Sequence, residues 1–307
     1  MLGYVTDRSA QDGITRRQLP EPQPGSHEVL VEVAAYAVNR GELSLIEQRS
    51  DGWAPGQDVA GVVVAPAADG TGPDAGTRVV GLADGGGWSE RVPVPSHRVA
   101  PLPGSVSFAQ AASLPVAGLT ALRALRTGGA LLGRRVLVTG ASGGVGSFAV
   151  QLARAAGAIV TALVSGESRV EAVRALGATD VRTTIGEDAG PFNLVVDGVG
   201  GQVLTAAIRR LATGGVATAY GVASGERSDI AFYDFAASAP GAHLEGFFVY
   251  RTGEETFGED LGLLARLVAS GTLDPQIGTP SDWSHTADAV GKLRRRESTG
   301  KQVLVRS

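Results

Sequence analysis

The stretch Gly140-Ala-Ser-Gly-Gly-Val-Gly146 contains the residues of this chain that are best suited to hold an anion. Glycine lacks a Cβ, so its backbone turns sharply and comes close to a ligand where a side chain would clash. If a helix begins directly after such a turn, its free N–H groups and the positive end of its dipole face the same space. Pyrophosphate fits such a site, and the candidate contacts are Ser142, Gly143, Gly144 and Val145.

The segments on either side of this turn predict a β-α-β unit. Residues 136–138 form an apolar run typical of a buried parallel strand, 145–156 have the pattern of a helix, and 159–164 follow as a second strand. A unit of this size is typical of dinucleotide binding. The alternative is a glycine-rich turn with a purely structural role in some other α/β protein.

The end of the second strand indicates which dinucleotide would bind. Enzymes that prefer NAD usually carry an acidic residue about twenty positions after the loop, where it bonds the ribose hydroxyls. Val164 stands at that place here, followed by Ser165 and then by Arg169. A hydroxyl and a guanidinium suit a 2′-phosphate, so the pattern predicts NADPH. Glu167 would oppose this unless it faces solvent or pairs with Arg169, and the alternative for Arg169 is a solvated helix residue.

The composition of the chain disfavours some classes of binding partner. The 307 residues carry a formal net charge of −4 without a basic block, which disfavours nucleic acid and anionic membranes. No apolar run approaches the length of a membrane span and the first residues lack the pattern of a secretion signal, so we expect a cytoplasmic protein. Because the chain has no cysteine, disulfides, thiolate metal ligands and a cysteine nucleophile are excluded.

The character of the chain changes near residue 108. Before it, short strands are separated by Gly-, Pro- and Asp-rich turns, which is typical of a small antiparallel barrel. After it, helical stretches alternate with strands, which predicts a doubly wound parallel sheet. The predicted strands are 29–38, 59–64, 78–82 and 89–94 in the first part, 135–138, 159–164, 192–196, 215–220 and 244–249 in the second, and 302–305 at the end, with helices at 259–270 and 286–296.

Five motifs together make the sequence resemble the medium-chain dehydrogenase/reductase superfamily, in particular its zinc-free quinone reductase and enoyl reductase branch. They occur in the order found in that family and extend over nearly the whole chain. The motifs are Val38-Asn-Arg-Gly-Glu42, Pro55-Gly-Gln-Asp-Val-Ala-Gly61, Leu114-Pro-Val-Ala-Gly-Leu-Thr-Ala121, Ala141-Ser-Gly-Gly-Val-Gly146 and Gly300-Lys-Gln-Val-Leu304.

The resemblance implies an α/β protein of two domains. Residues 1–110 and 249–307 would form a GroES-like barrel catalytic domain. Residues 111–248 would form an inserted Rossmann domain that binds NADPH on its doubly wound parallel sheet. The nicotinamide would lie in the cleft between the domains, and members of the family usually form homodimers.

Short-chain dehydrogenases are a rival class, because they share the glycine pattern. They place the pattern near the N-terminus, however, and use a Tyr-x-x-x-Lys pair in catalysis. No tyrosine of this chain is followed by a lysine at that spacing. We therefore set this class aside.

A catalytic metal is not expected. Zinc-dependent relatives hold the ion with a cysteine near the position of Asn39 and a histidine within residues 56–58, where this chain has Gln57. The four histidines also lack the spacing of metal ligands. Without a Lewis acid, alcohol oxidation is disfavoured, whereas hydride delivery to a quinone or an activated C=C bond needs less electrophilic help.

The resemblance also assigns roles to single residues. Asn39 and Thr120 would be catalytic residues at the nicotinamide, the alternatives being a turn-stabilising asparagine and a helix-capping threonine. Glu42 would lie beside the cleft or form a structural salt bridge. The remaining predicted cofactor contacts are Gly198, Val199, Tyr220, Gly221, Phe247, Phe248 and Val249, of which the last three would otherwise be strand core.

Two classes of function are therefore open. The first is an NADPH-dependent reductase that passes hydride to a small quinone or enone. Acyl-thioester reduction is less favoured within this class, because residues 49–53 lack the tyrosine that such relatives often carry there. The second is a protein that binds NADPH with little turnover and acts as a redox sensor or a structural component.

Overall fold

The computed structural model describes residues 1–236, 239–298 and 300–306. None of the helices in these ranges has both the length and the apolar character that crossing a bilayer requires. The strands are β1 (Leu2–Thr6), β2 (Ile14–Gln18), β3 (Glu28–Val38), β4 (Asp58–Ala65), β5 (Arg78–Leu82), β6 (Arg91–Pro95), β7 (Val99–Pro101), β8 (Arg135–Val138), β9 (Ile159–Leu163), β10 (Asp180–Arg182), β11 (Phe192–Asp197), β12 (Leu211–Ala219), β13 (His243–Gly246), β14 (Ser281–Asp282) and β15 (Gln302–Val305). The α-helices are α1 (Arg40–Gln48), α2 (Phe108–Ala112), α3 (Pro115–Arg126), α4 (Gly144–Ala155), α5 (Val170–Ala175), α6 (Gly201–Ile208), α7 (Tyr233–Ala236), α8 (Phe257–Ala269) and α9 (Thr286–Arg294).

The first of two compact units comprises Met1–Leu119, Gly253–Gly271 and Pro275–Ser307. Its main sheet has the order β14-β15-β3-β4-β5-β7, with β6 paired to β3, and its described pairs are antiparallel except β14 with β15. Alternate residues of β3 point into the core, where the valines at 29, 31 and 33 are buried. The predicted antiparallel, barrel-like domain is thus confirmed, and both ends of the chain contribute to it.

The second unit comprises Thr120–Thr252 and Thr272–Asp274. It contains a parallel sheet of order β10-β9-β8-β11-β12-β13, which confirms the predicted doubly wound architecture. The strand order reverses between β8 and β11, and ligands bind at the carboxyl ends of the strands at such a point. Residues 136–138 of β8 are buried, as expected for a strand covered on both faces.

One predicted strand of this sheet is too long, because 244–249 includes residues that leave the ladder. The backbone N–H of Phe247 still donates to the Ala219 oxygen at 2.8 Å. Since β12 ends at Ala219, no partner continues beyond that bond, and Val249 begins a short 3₁₀ helix. The sequence pattern also missed β1, β2, β7, β10 and β14, which have at most five residues.

Two glycines shape the turn between β8 and α4. Gly140 has φ +58, a left-handed conformation that favours glycine. A Cβ on Gly146 would lie 2.3 Å from the carbonyl oxygen of Gly140, so this residue serves the close packing of the helix against the loop. Gly143 occupies the N-cap position and is exposed in front of α4. The N-terminal end of α4 therefore follows directly after this turn, as the sequence predicts.

Candidate active-site residues

Four polar side chains are buried together in the first unit. Asn39 precedes α1, Glu42 lies in the first turn of that helix, Asp58 begins β4 and Lys301 precedes β15. Their exposed fractions are 8%, 0%, 0% and 5%, respectively. Burying ionisable groups is costly unless each finds partners, so their contacts decide what the cluster does.

Three of these side chains form a closed ring of hydrogen bonds, which we call the Asn39 ring (Asn39, Asp58 and Lys301). Asn39 Nδ2 donates to Asp58 Oδ2 at 2.8 Å, and Lys301 Nζ donates to the same oxygen at 3.0 Å. Lys301 Nζ also donates to Asn39 Oδ1. Asp58 Oδ1 accepts from the backbone N–H of Val116 at 2.8 Å, so both carboxylate oxygens are engaged.

Asn39 stands at the N-cap position of α1, with an extended backbone (φ −114, ψ 151). An asparagine there usually caps the helix with its side chain. Its side-chain bonds go to Asp58 and Lys301 instead, and the backbone N–H of Asn39 donates to Glu42 Oε2 at 2.7 Å. The asparagine is therefore held at both its backbone and its side chain.

Glu42 makes no ion pair among the described residues. Its second carboxyl oxygen, Oε1, accepts from the backbone N–H of Gln57 at 3.0 Å. Burial, and then the nearby charge of Asp58, raise the pKa of Glu42 to about 8, although the hydrogen bonds from the two backbone amides oppose the shift. The structural salt bridge of this cluster is formed by Asp58 with Lys301 and not by Glu42.

In the second unit, Asp197 organises the loop at the carboxyl end of β11. Its Oδ1 accepts from Thr139 Oγ1 at 2.5 Å, and its Oδ2 accepts from the backbone N–H of Gly200 at 2.9 Å. Burial raises the pKa of this carboxyl group. Asp197 thus ties the ends of two neighbouring strands together, and with them the loop that carries Gly198 and Val199.

The predicted contacts at the ends of β11 and β12 lie next to one another. A Cβ on Gly198 would be 2.4 Å from the hydroxyl oxygen of Tyr220, so this glycine gives space to the tyrosine ring. A Cβ on Gly221 would be 3.1 Å from the Gly198 oxygen. A Cβ on Gly140 would be 3.2 Å from a methyl carbon of Val199, which places this loop beside the glycine-rich turn. Burial raises the pKa of Tyr220.

Arg169 and Ser142 meet beside the glycine-rich turn. Arg169 Nη1 donates to Ser142 Oγ at 3.0 Å. Val164 is buried, whereas Ser165 is exposed next to it. Glu167 does not pair with Arg169, since its carboxylate accepts from Thr183 Oγ1 at 3.5 Å. Two hydrogen-bond donors, the guanidinium of Arg169 and the hydroxyl of Ser142, therefore lie near the end of β9, and the carboxylate of Glu167 is not paired with Arg169.

The other predicted residues have different surroundings. Thr120 lies in the middle of α3, away from the position of a helix cap, and is 7% exposed. Phe247 and Val249 are buried, but Phe248 is 61% exposed. Phe248 is therefore not core, because it follows the last hydrogen bond to β12 and faces outward.

Sequence reasoning missed the roles of Asp58 and Lys301, although both stand in the family motifs. The one signal in the composition is that Lys292 and Lys301 are the two lysines among 27 basic residues. Within the described ranges, no three His, Asp or Glu side chains come together as metal ligands would.

The raised pKa of Glu42 predicts a pH-dependent stability. The pKa of Glu42 in the folded protein lies above the ordinary value of 4.5, so the folded state binds the proton more tightly than the unfolded state. The resulting stabilisation is complete below about pH 4.5 and is lost as pH rises through about 8. Glu42→Gln does not ionise and should flatten the fall of Tm between about pH 5 and pH 9. Thermal unfolding monitored by circular dichroism measures this slope.

The matched control is Glu47→Gln, which removes an exposed carboxylate from the same helix and should keep the wild-type slope. A Glu42→Gln protein whose Tm depends on pH as steeply as that of the wild type would contradict the prediction.

Comparisons with known proteins agree with this architecture. The family model described as alcohol dehydrogenase GroES-like domain matches residues 25–104, and that described as zinc-binding dehydrogenase matches residues 144–266. The chain is 38% identical over 196 residues to a chloroplast envelope quinone oxidoreductase homolog of Arabidopsis thaliana, and the matched region covers 59% of each chain. It is 38% identical over 188 residues to a trans-enoyl reductase of Aspergillus flavipes, which covers 53% of each.

The chain thus matches little more than half the length of these curated relatives. A solved mycobacterial structure complexed with NADPH is similar over the full length, with a TM-score of 0.87 and 26% identity, covering 99% of this chain and 100% of that chain. With its GroES-like domain, its parallel Rossmann sheet and these relatives, the chain belongs to the medium-chain dehydrogenase/reductase superfamily, in its quinone reductase and enoyl reductase branch.

Proposed function

We propose that this protein is an NADPH-dependent reductase that transfers hydride, without a metal, to a quinone or to the activated C=C bond of an enone. The observation that carries the proposal is the pair of donors, Arg169 and Ser142, beside the glycine-rich turn. The names of the relatives, a quinone oxidoreductase homolog and a trans-enoyl reductase, support the same chemistry. A cytoplasmic location stays a prediction.

The residues of the second unit fit NADPH. The backbone N–H groups of Gly143, Gly144 and Val145 at the start of α4 would hold the pyrophosphate. Ser142, Ser165 and Arg169 would hold the 2′-phosphate, since a guanidinium binds phosphate with charge-assisted hydrogen bonds. Gly198, Val199, Tyr220 and Gly221 continue this edge of the sheet, and the backbone of residues 247–249 would contact the nicotinamide.

Asn39 would act on the acceptor molecule. One of its two Nδ2 protons is donated to Asp58, and the other has no acceptor among the described residues. This second proton would bind the carbonyl oxygen of the quinone or enone, where negative charge develops as hydride arrives. The hydroxyl of Thr120 would bind the nicotinamide carboxamide.

NADPH, when bound, supplies the hydride to the β-carbon of an enone or to the quinone. A proton from solvent completes the reduction, so the products are NADP⁺ and a saturated carbonyl compound or a hydroquinone. Asn39 would release the oxygen once its charge is neutralised.

The test is NADPH oxidation with a panel of quinones, small enones and enoyl thioesters, in the presence and absence of a chelator. We expect turnover with quinones or enones that the chelator leaves unchanged. Saturable NADPH binding without any turnover would favour the binding-only alternative. Stoichiometric zinc that is lost together with activity would contradict the metal-free chemistry.

The choice of NADPH is tested at Arg169. A hydrogen bond to a charged group contributes about 1.5–3 kcal/mol, so Arg169→Ala should weaken NADPH binding roughly 10- to 100-fold and leave NADH binding nearly unchanged. Arg174→Ala is the control, because Arg174 is exposed and pairs with Glu171. Fluorescence titration measures both affinities. Equal losses for NADPH and NADH would show that Arg169 does not bind the phosphate.

We also propose a homodimer that forms through β13. This strand is at the edge of the parallel sheet, and its four residues are exposed. Exposed strand edges readily pair with another chain, and a lysine introduced on the edge opposes this pairing. Leu244→Lys should therefore give a monomer in light scattering, whereas Leu132→Lys, at another exposed leucine, should not. A wild-type monomer, or a Leu244→Lys dimer, would contradict this interface.

A further inference from the structure

Lysine is rare in this chain, and one of its two lysines is buried. Lys292 is exposed on α9, whereas Lys301 is 5% exposed in the Asn39 ring. The other basic residues are arginines. A lysine at a position where the cation contacts a candidate catalytic residue therefore calls for a physical reason.

The geometry of the ring supplies that reason. Lys301 Nζ is a single nitrogen that donates to acceptors on two residues, Asn39 Oδ1 and Asp58 Oδ2. An ammonium is a compact point charge with donors in three directions, whereas a guanidinium is a planar fork that suits bidentate contact with one carboxylate. The buried space and the two separate acceptors therefore favour lysine.

The ring leaves the Asn39 carboxamide one orientation. In the observed orientation, Oδ1 faces an ammonium and Nδ2 faces a carboxylate. A flip would set N–H against N–H at Lys301 and oxygen against oxygen at Asp58. Asp58 does not turn away to relieve this, because its other oxygen holds the Val116 N–H.

We propose that Lys301 is a positioning residue for the reduction. Its ammonium holds the Asn39 carboxamide so that the remaining Nδ2 proton points at the carbonyl oxygen of the substrate, and it polarises the amide so that this proton is a stronger donor. The role of Lys301 in turnover rests on the proposed function of Asn39. The orientation of the carboxamide does not rest on it and is measured separately.

The orientation is measured by NMR on protein labelled with ¹⁵N-asparagine. Asn39 and Asn193 are the two asparagines of the chain, so two side-chain amide pairs are expected. In Lys301→Met, the Nδ2 signals of Asn39 should shift, because the carboxamide oxygen loses its hydrogen bond from the charged ammonium. Asn193 binds the Arg135 N–H with its oxygen and serves as the internal control.

The role in turnover is measured by kinetics. Lys301→Met should lower kcat roughly 10- to 100-fold, the equivalent of one charge-assisted hydrogen bond, and change the Kd of NADPH less than about twofold. Lys292→Met should leave both unchanged. In an Asn39→Ala background, Lys301→Met should lower kcat by less than about twofold, because two residues that act as one unit are not additive.

Lys301→Met leaves Asp58 without its cation and could prevent folding. The second variant, Lys301→Met with Asp58→Asn, removes both charges and should show the same loss of kcat. Unchanged Asn39 signals in a folded Lys301→Met protein, or losses of kcat that multiply with those of Asn39→Ala, would overturn the proposal. If the wild type turns over no acceptor, the proposed function fails, and the NMR comparison alone decides whether Lys301 holds Asn39.

Discussion

The buried ion pair of Lys301 with Asp58 is the interaction on which the candidate site of the first unit depends. It joins residues that are 243 positions apart and brings the C-terminal segment to the start of β4. Removing two charges from water is costly, and their attraction offsets that cost only where further hydrogen bonds satisfy both groups. The bonds to Asn39 and to the Val116 N–H meet this condition.

The same pair links stability to the proposed chemistry. A buried ion pair that contacts no other functional residue can often be replaced by apolar residues of similar volume without loss of stability. Here Asn39 closes the ring, so its carboxamide is oriented by the charges that hold the fold together. The negative charge of Asp58 also disfavours a second carboxylate nearby, which contributes to the raised pKa of Glu42.

The second unit builds its candidate site by different means. Its proposed ligand contacts are mainly backbone groups at strand and helix ends, and they would depend on close approach more than on buried charge. Gly146 packs against the oxygen of Gly140, and Gly198 gives space to the ring of Tyr220. Asp197 holds this edge with hydrogen bonds from Thr139 and Gly200.

Sequence by itself determined the architecture, and it located the turn that we propose as the nucleotide-binding end of the site. The glycine-rich turn, β8, α4 and β9 were predicted within one residue, because their signals are local: periodicity, apolar runs and glycine. Only the tertiary structure decided where β13 ends, since that depends on where its partner β12 stops at Ala219. It also decided the partners of Asn39, because Lys301 lies 262 residues away. A hydrogen bond between such distant residues leaves no periodic trace in the sequence, since it is made only when the fold brings the two ends of the chain together.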